Sequence, residues 1–183
     1  MASANVVRER ITMSQRQTLY LLRHAKAVPW LPGIDDFSRS LSQRGRSHMA
    51  ALSGWVQREL APPGAVLCSP SARTRETLAP LLDTWPISDP AVVYLPQIYE
   101  ASTAMLFELA SDAFQAADIV LMVGHNPGFE LLALDVMRSS DAGPIHKMPT
   151  GTLAVIDFER GWSLDAGQGG LRHWIRRRDL HRD

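Results

Sequence analysis

Residues 118–124 read DIVLMVG, an almost unbroken apolar run that breaks directly into His125-Asn126-Pro127-Gly128. A strand that is apolar at successive positions must be covered on both faces, which places it inside a sheet with helices on either side. The same design recurs. Thr18–Ala25 (TLYLLRHA) is apolar until Arg23-His24, and Ala65–Ser69 runs into Pro70-Ser71. Val92-Val93-Tyr94 is a weaker strand, and Thr152–Phe158 is a last one after the Pro149-Thr150-Gly151 turn. Helical spacing fills the gaps. Met49, Leu52, Val56 and Leu60 share one face of a helix over 43–60 that Ser42 can cap and Ala61-Pro62-Pro63-Gly64 stops. Further helices are expected over 72–82, from a Ser102 cap to 111, and over 129–138. Strands alternating with helices predict an α/β protein, a three-layer α/β/α arrangement around a mostly parallel central sheet. Residues 1–17 read as a flexible polar tail, and residues 18–183 as a single domain of ordinary size. The basic stretch Leu171–Asp183 gives no assignable element, and its arginines are either a docking patch or a solvated terminal segment.

Composition narrows the function. Lys and Arg number 19, Asp and Glu number 19, and the net charge is zero. Such a chain has no global field to hold nucleic acid or an anionic membrane, so any anion site must be local. The single cysteine, Cys68, excludes an internal disulfide framework and a multi-cysteine zinc site. No apolar run approaches the roughly 18 residues that span a bilayer. The first residues lack the apolar core of a secretory signal, so a cytoplasmic location is expected. A G-x-x-x-x-G-K-[ST] loop, a G-x-S-x-G elbow and an H-E-x-x-H helix are all absent. His125 with Glu130 does not make a convincing metal site, and no cofactor is expected.

In a sheet of this kind, ligands sit beyond the carboxyl ends of the strands, and three strands here end in polar clusters. The first is Arg23-His24-Ala25-Lys26. A neutral imidazole can attack phosphorus and form a phosphoramidate that water later hydrolyses, and the adjacent guanidinium can bind the non-bridging oxygens. A capped strand end with an exposed pair fits the pattern equally well. The second cluster runs from Ser69 to Thr77. Arg73 falls in the first turn of a helix, where free N–H groups and the helix dipole already favour an anion. Arg73 and Arg75 point apart on a helix, so one of them should face solvent. The third is Gly124-His125-Asn126, where a second histidine can stabilise a transferring phosphoryl group or merely close a turn. His48, His146, His173 and His181 lack such settings and read as surface residues. Cys68 to Arg73 looks like the cysteine-based C-x₅-R phosphate loop, but the arginine falls one residue short, with Thr74 at the required place. Pro70 also removes an amide from such a cradle.

Taken together, these clusters resemble the motifs of the histidine phosphatase, or phosphoglycerate mutase-like, superfamily. Arg23-His24 looks like its R-H signature, Ser69, Arg73 and Thr77 its S-x-x-x-R-x-x-x-T element, and Gly124-His125-Asn126 its late G-H element. Asp36 to Gly45 resembles the D-x-x-R-P-L-x-x-x-G of the small SixA-type phosphohistidine phosphatases, with Ser40 in place of proline. Arg178-Asp179-Leu180 resembles the branch's closing P-R-D-L, again without the proline. The resemblance implies a phosphoglycerate mutase-like fold and a metal-independent phosphatase. His24 would be the nucleophile, phosphorylated on Nε2, with Arg23, Arg73 and His125 around the phosphate. Glu100 stands where many relatives carry a proton donor; as a solvated loop carboxylate it would have no such role. Arg39, Asn126 and Lys26 are candidate substrate contacts, although Arg39 and Lys26 read more readily as ordinary loop charges. The implied partner is a phosphorylated protein, most simply one carrying phosphohistidine, or a small phosphorylated metabolite. A non-catalytic phosphate-binding module of the same fold is the alternative.

Overall fold

The computed structural model describes residues 16–85, 92–142, 147–159 and 167–180. Its strands are β1 (Arg16–Arg23), β2 (Ala65–Cys68), β3 (Val92–Tyr94), β4 (Ile119–Gly124), β5 (Leu153–Glu159) and β6 (Gly170–Ile175). The helices are α1 (Gln43–Glu59), α2 (Ala72–Thr84), α3 (Thr103–Ala113), α4 (Gly128–Val136) and the short α5 (Ser139–Ala142). The six strands form one sheet in the order β3-β2-β4-β1-β5-β6. The pairs β1–β4, β2–β4 and β2–β3 are parallel, and β1–β5 and β5–β6 are antiparallel. The sheet is thus mostly parallel, as expected, with an antiparallel edge.

Alternation along the central strands feeds two cores. Leu19 and Leu21 of β1, with Val120 and Met122 of β4, pack against Leu106 and Ala110 of α3 and Phe129 and Leu132 of α4. Tyr20 and Leu22, with Leu121 and Val123, pack on the other face against Met49, Leu52 and Val56 of α1 and Leu78 and Leu81 of α2. All of these side chains are buried. Each buried Leu or Val contributes about 1.5–3 kcal/mol relative to an exposed one, so the apolar runs on β1 and β4 are what fix the three layers.

Several elements depart from expectation. The described part of β1 begins at Arg16, so Arg16 and Gln17 are sheet residues; residues 1–15 of the expected tail lie outside the described residues. Gln17 is buried but donates its side-chain N–H to the Phe114 carbonyl at 3.0 Å, which offsets the cost of burying an amide. The unassigned basic stretch holds β6, with Leu153 opposite Ile175 and Val155 opposite His173. Arg172 pairs with Asp157 at 3.2 Å, and Arg176 is tied to Asp179, so two of the tail's arginines are engaged locally. His48 is buried rather than on the surface: it lies four residues before Leu52 on the same face of α1, under Gly151. His173 is half-buried against Trp55, and His146 and His181 lie outside the described residues.

One glycine is set by packing in the first loop. A Cβ at Gly45 would collide with the backbone carbonyl of Lys26, so α1 can start this close to the loop only with glycine there. The same Lys26 carbonyl accepts the backbone N–H and the hydroxyl of Ser42, the α1 cap, at 2.8 and 2.9 Å.

Candidate active site

Sheet register brings the three polar clusters to one rim. In the parallel β1–β4 pair, Arg23 lies opposite Gly124, and the ladder continues with His24 N–H donating to the Gly124 carbonyl at 3.0 Å. His24 and His125 are therefore neighbours, with ring centroids 5.2 Å apart. On the other side of β4, Ser69 N–H donates to the Val123 carbonyl at 3.0 Å, which sets the start of α2 beside His125.

Each residue of the Ser69–Arg73–Thr77 spacing has its own task. Ser69 Oγ is 2.8 Å from His125 Nε2. Arg73, one turn further and only 5% exposed, projects towards the same histidine, 3.4 Å from Nδ1. Thr77, a further turn on, accepts the Ala25 N–H at 2.9 Å and donates to the Arg73 carbonyl at 2.6 Å. Ser69 lies at the end of β2, before the helix, and Arg73 and Thr77, four residues apart, share one face of α2, so the element ties α2 to the histidine-bearing strand ends. Arg75 sits on the other side, exposed, with its guanidinium 4.5 Å from the Tyr94 ring centroid and Nε donating to the Pro70 carbonyl.

The protonation of His24 follows from its partner. A carbonyl only accepts, and Nδ1 lies 2.8 Å from the Ala25 carbonyl, so Nδ1 carries the proton and the Nε2 lone pair is free. Burial is the main force that lowers the His24 pKa to about 4, with the charges of Arg73, Arg23 and Arg39 acting in the same direction against the Ala25 hydrogen bond. At neutral pH the ring is an uncharged nucleophile facing cations. His125 is pushed down to about 3, by burial first and then by His24 and Arg73, while Asp36 opposes the shift. An arginine only donates, so His125 Nδ1 accepts from Arg73 and Nε2 donates to Ser69 Oγ. A phosphoryl dianion placed among these groups would favour the charged form of each ring and turn His125 into a stronger donor.

Arg23 is anchored by Nη1 donating to the Met148 carbonyl at 2.6 Å. That carbonyl also accepts from Asn126 Nδ2 at 3.1 Å, and the Asn126 amide donates as well to Glu130 Oε2 at 3.0 Å. Glu130 in turn accepts the Met148 N–H at 2.6 Å. Gly151, at φ +76°, donates its N–H to the carbonyls of Arg23 and His24 at 3.1 and 2.9 Å. The segment from Met148 to Gly151 thus forms the floor under the R-H pair. Asn126 spends its donors on that floor.

The remaining candidates lie on loops. Arg39 is half-buried, bonding Asp36 through Nε at 2.8 Å and the Val28 carbonyl through Nη1 at 2.7 Å. Lys26 is exposed and contributes its backbone carbonyl to the α1 cap. Glu100 is exposed, one residue past Tyr99, at φ +53°. Such a conformation costs a side-chain-bearing residue about 1–2 kcal/mol, and it turns the chain sharply beside the pocket.

Two residues of this site were not among the expected site residues, although Asp36 opens the D-x-x-R match. Tyr99 packs its ring edge-on against His125, 5.1 Å between centroids, and lies 5.7 Å from the Arg73 guanidinium carbon. Asp36 accepts from Arg73, Arg39 and Tyr99. Neither contact has a sequence signal, because loop closure alone brings residues 36, 73 and 99 together. Cys68 ends β2 fully buried, its thiol pushed up to about 12 mainly by burial, partly offset by Thr74 and Arg75. A thiol in that state is not a nucleophile at neutral pH.

Among the described residues, no three His, Cys, Asp or Glu side chains are grouped so as to hold a metal ion. Among them, too, no helix is long and apolar enough to cross a membrane.

Comparison with known proteins places this geometry. The model of the histidine phosphatase superfamily (branch 1) matches residues 19–117. The uncharacterized protein Rv1276c of Mycobacterium tuberculosis is 31% identical over 148 residues, 78% of this chain and 90% of that protein. A structure from Nakamurella multipartitia named for the phosphohistidine phosphatase SixA superposes with a TM-score of 0.76 at 25% identity, over 88% of this chain and 96% of its own. One of the same name from Agrobacterium tumefaciens gives 0.72 at 26% identity, over 87% and 97%.

Proposed function

Since the chain belongs to the histidine phosphatase superfamily and is a hydrolase of phosphate esters, we propose that it works through a phosphohistidine intermediate on His24 and that its substrate is a protein carrying phosphohistidine. The observation that carries the first part is the Ala25 carbonyl on His24 Nδ1, which leaves Nε2 as the free nucleophile beside Arg23 and Arg73. In the first step the Nε2 lone pair bonds to phosphorus. The bond from phosphorus to the leaving oxygen or nitrogen breaks, and the leaving atom keeps the electron pair and takes a proton. Glu100, on the loop beside Tyr99, is the proposed donor of that proton. In the second step water attacks the phosphoryl group, the P–N bond breaks, and inorganic phosphate leaves with His24 restored. Arg23, Arg73 and His125 hold the phosphoryl oxygens throughout, so the scheme draws on no metal ion. Arg39, Lys26 and Asn126 are the proposed outer contacts, Asn126 through the Met148 floor.

Two observations support a protein substrate. The neighbours at 25% and 26% identity are named for SixA. The first loop also exposes Val28, Trp30, Leu31, Ile34 and Phe37, an apolar rim suited to a protein surface and poorly suited to a small polar metabolite.

The test is hydrolysis of p-nitrophenyl phosphate in excess chelator by the wild type and His24→Ala, followed by a chemically phosphorylated histidine protein as substrate. The expected result is metal-independent turnover that falls by about four orders of magnitude or more without His24. Its kcat/KM should hold at neutral pH and fall only as His24 protonates near pH 4, because the lowered pKa moves that acid limb below the ordinary histidine range. Unchanged turnover in His24→Ala would overturn the mechanism. Faster hydrolysis of a sugar phosphate than of the phosphohistidine protein would overturn the substrate.

A further inference from the structure

Arg73 is engaged by Asp36. Its Nη1 donates to the Asp36 backbone carbonyl at 2.5 Å, and its Nη2 donates to Asp36 Oδ2 at 2.8 Å. The second carboxylate oxygen, Oδ1, accepts from Arg39 Nε at 2.8 Å and pairs with Arg39 Nη2 at 2.6 Å. Tyr99 donates its hydroxyl to Oδ2 at 2.9 Å. A planar anion bridging two guanidinium forks is how those side chains would also hold a phosphoryl group. The carboxylate therefore occupies donors that the substrate needs.

Resting on the reading of Arg73 as a phosphoryl ligand, we propose that Asp36 is an internal competitor for that ligand: its carboxylate holds Arg73 in the empty site, yields to the incoming phosphoryl group, and returns to help expel the phosphate product. The contact is built to be exchanged. The Arg73 side chain is only 6% exposed and starts from the first turn of α2, whereas the Asp36 side chain is 39% exposed and sits on a short turn (Asp36–Ser38) in a long surface loop. A phosphoryl dianion brings up to two charges and three acceptor oxygens against the carboxylate's one charge, so it can win the exchange. Asp36 keeps Arg39 as a partner three residues away when it lets go. Burial opposes ionisation of Asp36, but hydrogen bonds from Arg39 and Tyr99 and the charge of Arg73 outweigh it, bringing the pKa to about 2. The competitor is thus an anion at every working pH, and it is a poor candidate for the proton donor. The exchange also has a mechanical consequence. Phe37, next to Asp36, packs edge-on against Tyr99, and Tyr99 packs against His125. Moving Asp36 therefore moves the aromatic wall of the pocket.

A competitor that occupies the site most of the time weakens every phosphoryl ligand by the fraction of molecules it leaves open. The experiment is calorimetric titration of inorganic phosphate, as the dianion, into the wild type, Asp36→Asn, Asp36→Ala and Arg73→Ala, with folding checked by thermal melting. The two Asp36 variants should bind phosphate more tightly, by about five- to tenfold, and show correspondingly stronger product inhibition. If Asp36 merely held the loop or aimed Arg73, its removal would weaken phosphate or leave it unchanged, and that outcome overturns the proposal. The two variants guard against a single folding failure, since asparagine keeps the shape and alanine removes the side chain. Phosphate binding needs no turnover, so the failure of the catalytic scheme would not mask the result. If Arg73→Ala binds phosphate as well as the wild type, it is the assignment of Arg73 that falls, a different failure from Asp36 variants that bind no tighter.

Discussion

One wall of the site stands on strand ends and the other on loops. His24 and Ser69 are held by ladder hydrogen bonds that continue the parallel sheet, His125 directly follows β4, and Arg23 is clamped between the Met148 carbonyl and the Gly151 turn. Asp36, Arg39 and Tyr99 meet them from connections, with Glu100 one residue past Tyr99, and these side chains are half-buried or exposed. The difference divides the labour. On the proposed mechanism, the groups that meet phosphorus are placed where backbone freedom is least. The groups proposed to contact or release a ligand are placed where exchange costs little. Removing a strand-end group should therefore cost chemistry, and changing a loop group should mostly retune affinity or one kind of substrate.

After His24 itself, the sharpest test of this division is the pair Arg73 and Arg75. They are two residues apart on α2, yet one is buried against His125 and the other lies exposed on Tyr94. Arg73→Ala should lower kcat/KM by about two to three orders of magnitude, the usual loss for one charged donor in such a site. Arg75→Ala should change it by no more than about twofold. Arg73→Gln should also raise the acid limb of the pH profile, because the Arg73 charge helps hold the His24 pKa down. Equal losses from Arg73→Ala and Arg75→Ala in a steady-state assay would mean that the strand-end wall is drawn around the wrong arginine.

The two walls were unequally legible in the sequence. The strand-end wall announces itself, since an apolar run that stops at Arg23-His24, at Ser69 or at His125 marks both a buried strand and the point where its chemistry emerges. The α1 stripe was legible for the same reason, although His48 shows its limit: read as a surface residue for want of a strand-end setting, it is buried four residues before Leu52. Strand β6 escaped because it is a half-exposed edge whose side chains, Arg172 and His173 among them, give neither an apolar run nor a clean alternation. Asp36 was read only as part of a motif and Tyr99 only as a loop residue, because their contacts with Arg73 are made by loop closure across 37 and 26 residues of chain, which no local pattern encodes. Asn126 shows the reverse problem. The sequence offered it as a ligand, and the fold commits its amide to Glu130 and Met148.

Glu100 tests the loop wall. If it gives the leaving group its proton, Glu100→Gln should slow a phosphate ester with a poor leaving group by about a hundredfold. It should hardly touch p-nitrophenyl phosphate, whose leaving group needs little help, or a phosphohistidine protein, whose leaving nitrogen can already carry its proton. Rates on the three substrates, each divided by the wild-type rate, check this directly. Equal slowing on all three substrates would overturn the proton-donor role, since only the ester with the poor leaving group needs that proton.

The smallest effect is expected at Cys68, which lies between the walls without belonging to either. It ends β2 one residue before Ser69, fully buried, and its Sγ donates to the Ser69 carbonyl at 3.2 Å. A serine keeps that donor but is shorter and more polar, so Cys68→Ser should cost about 1 kcal/mol of stability through packing and desolvation. Turnover should stay within about twofold of the wild type. The physical ground is that burial holds the thiol protonated, pushed up to about 12, and that Pro70 deprives the turn after it of an amide with which to cradle phosphate. A Cys68→Ser protein that melts normally but no longer hydrolyses p-nitrophenyl phosphate would move the nucleophile from the end of β1 to the end of β2. It would also leave the Ala25 hydrogen bond that frees His24 Nε2 without a purpose.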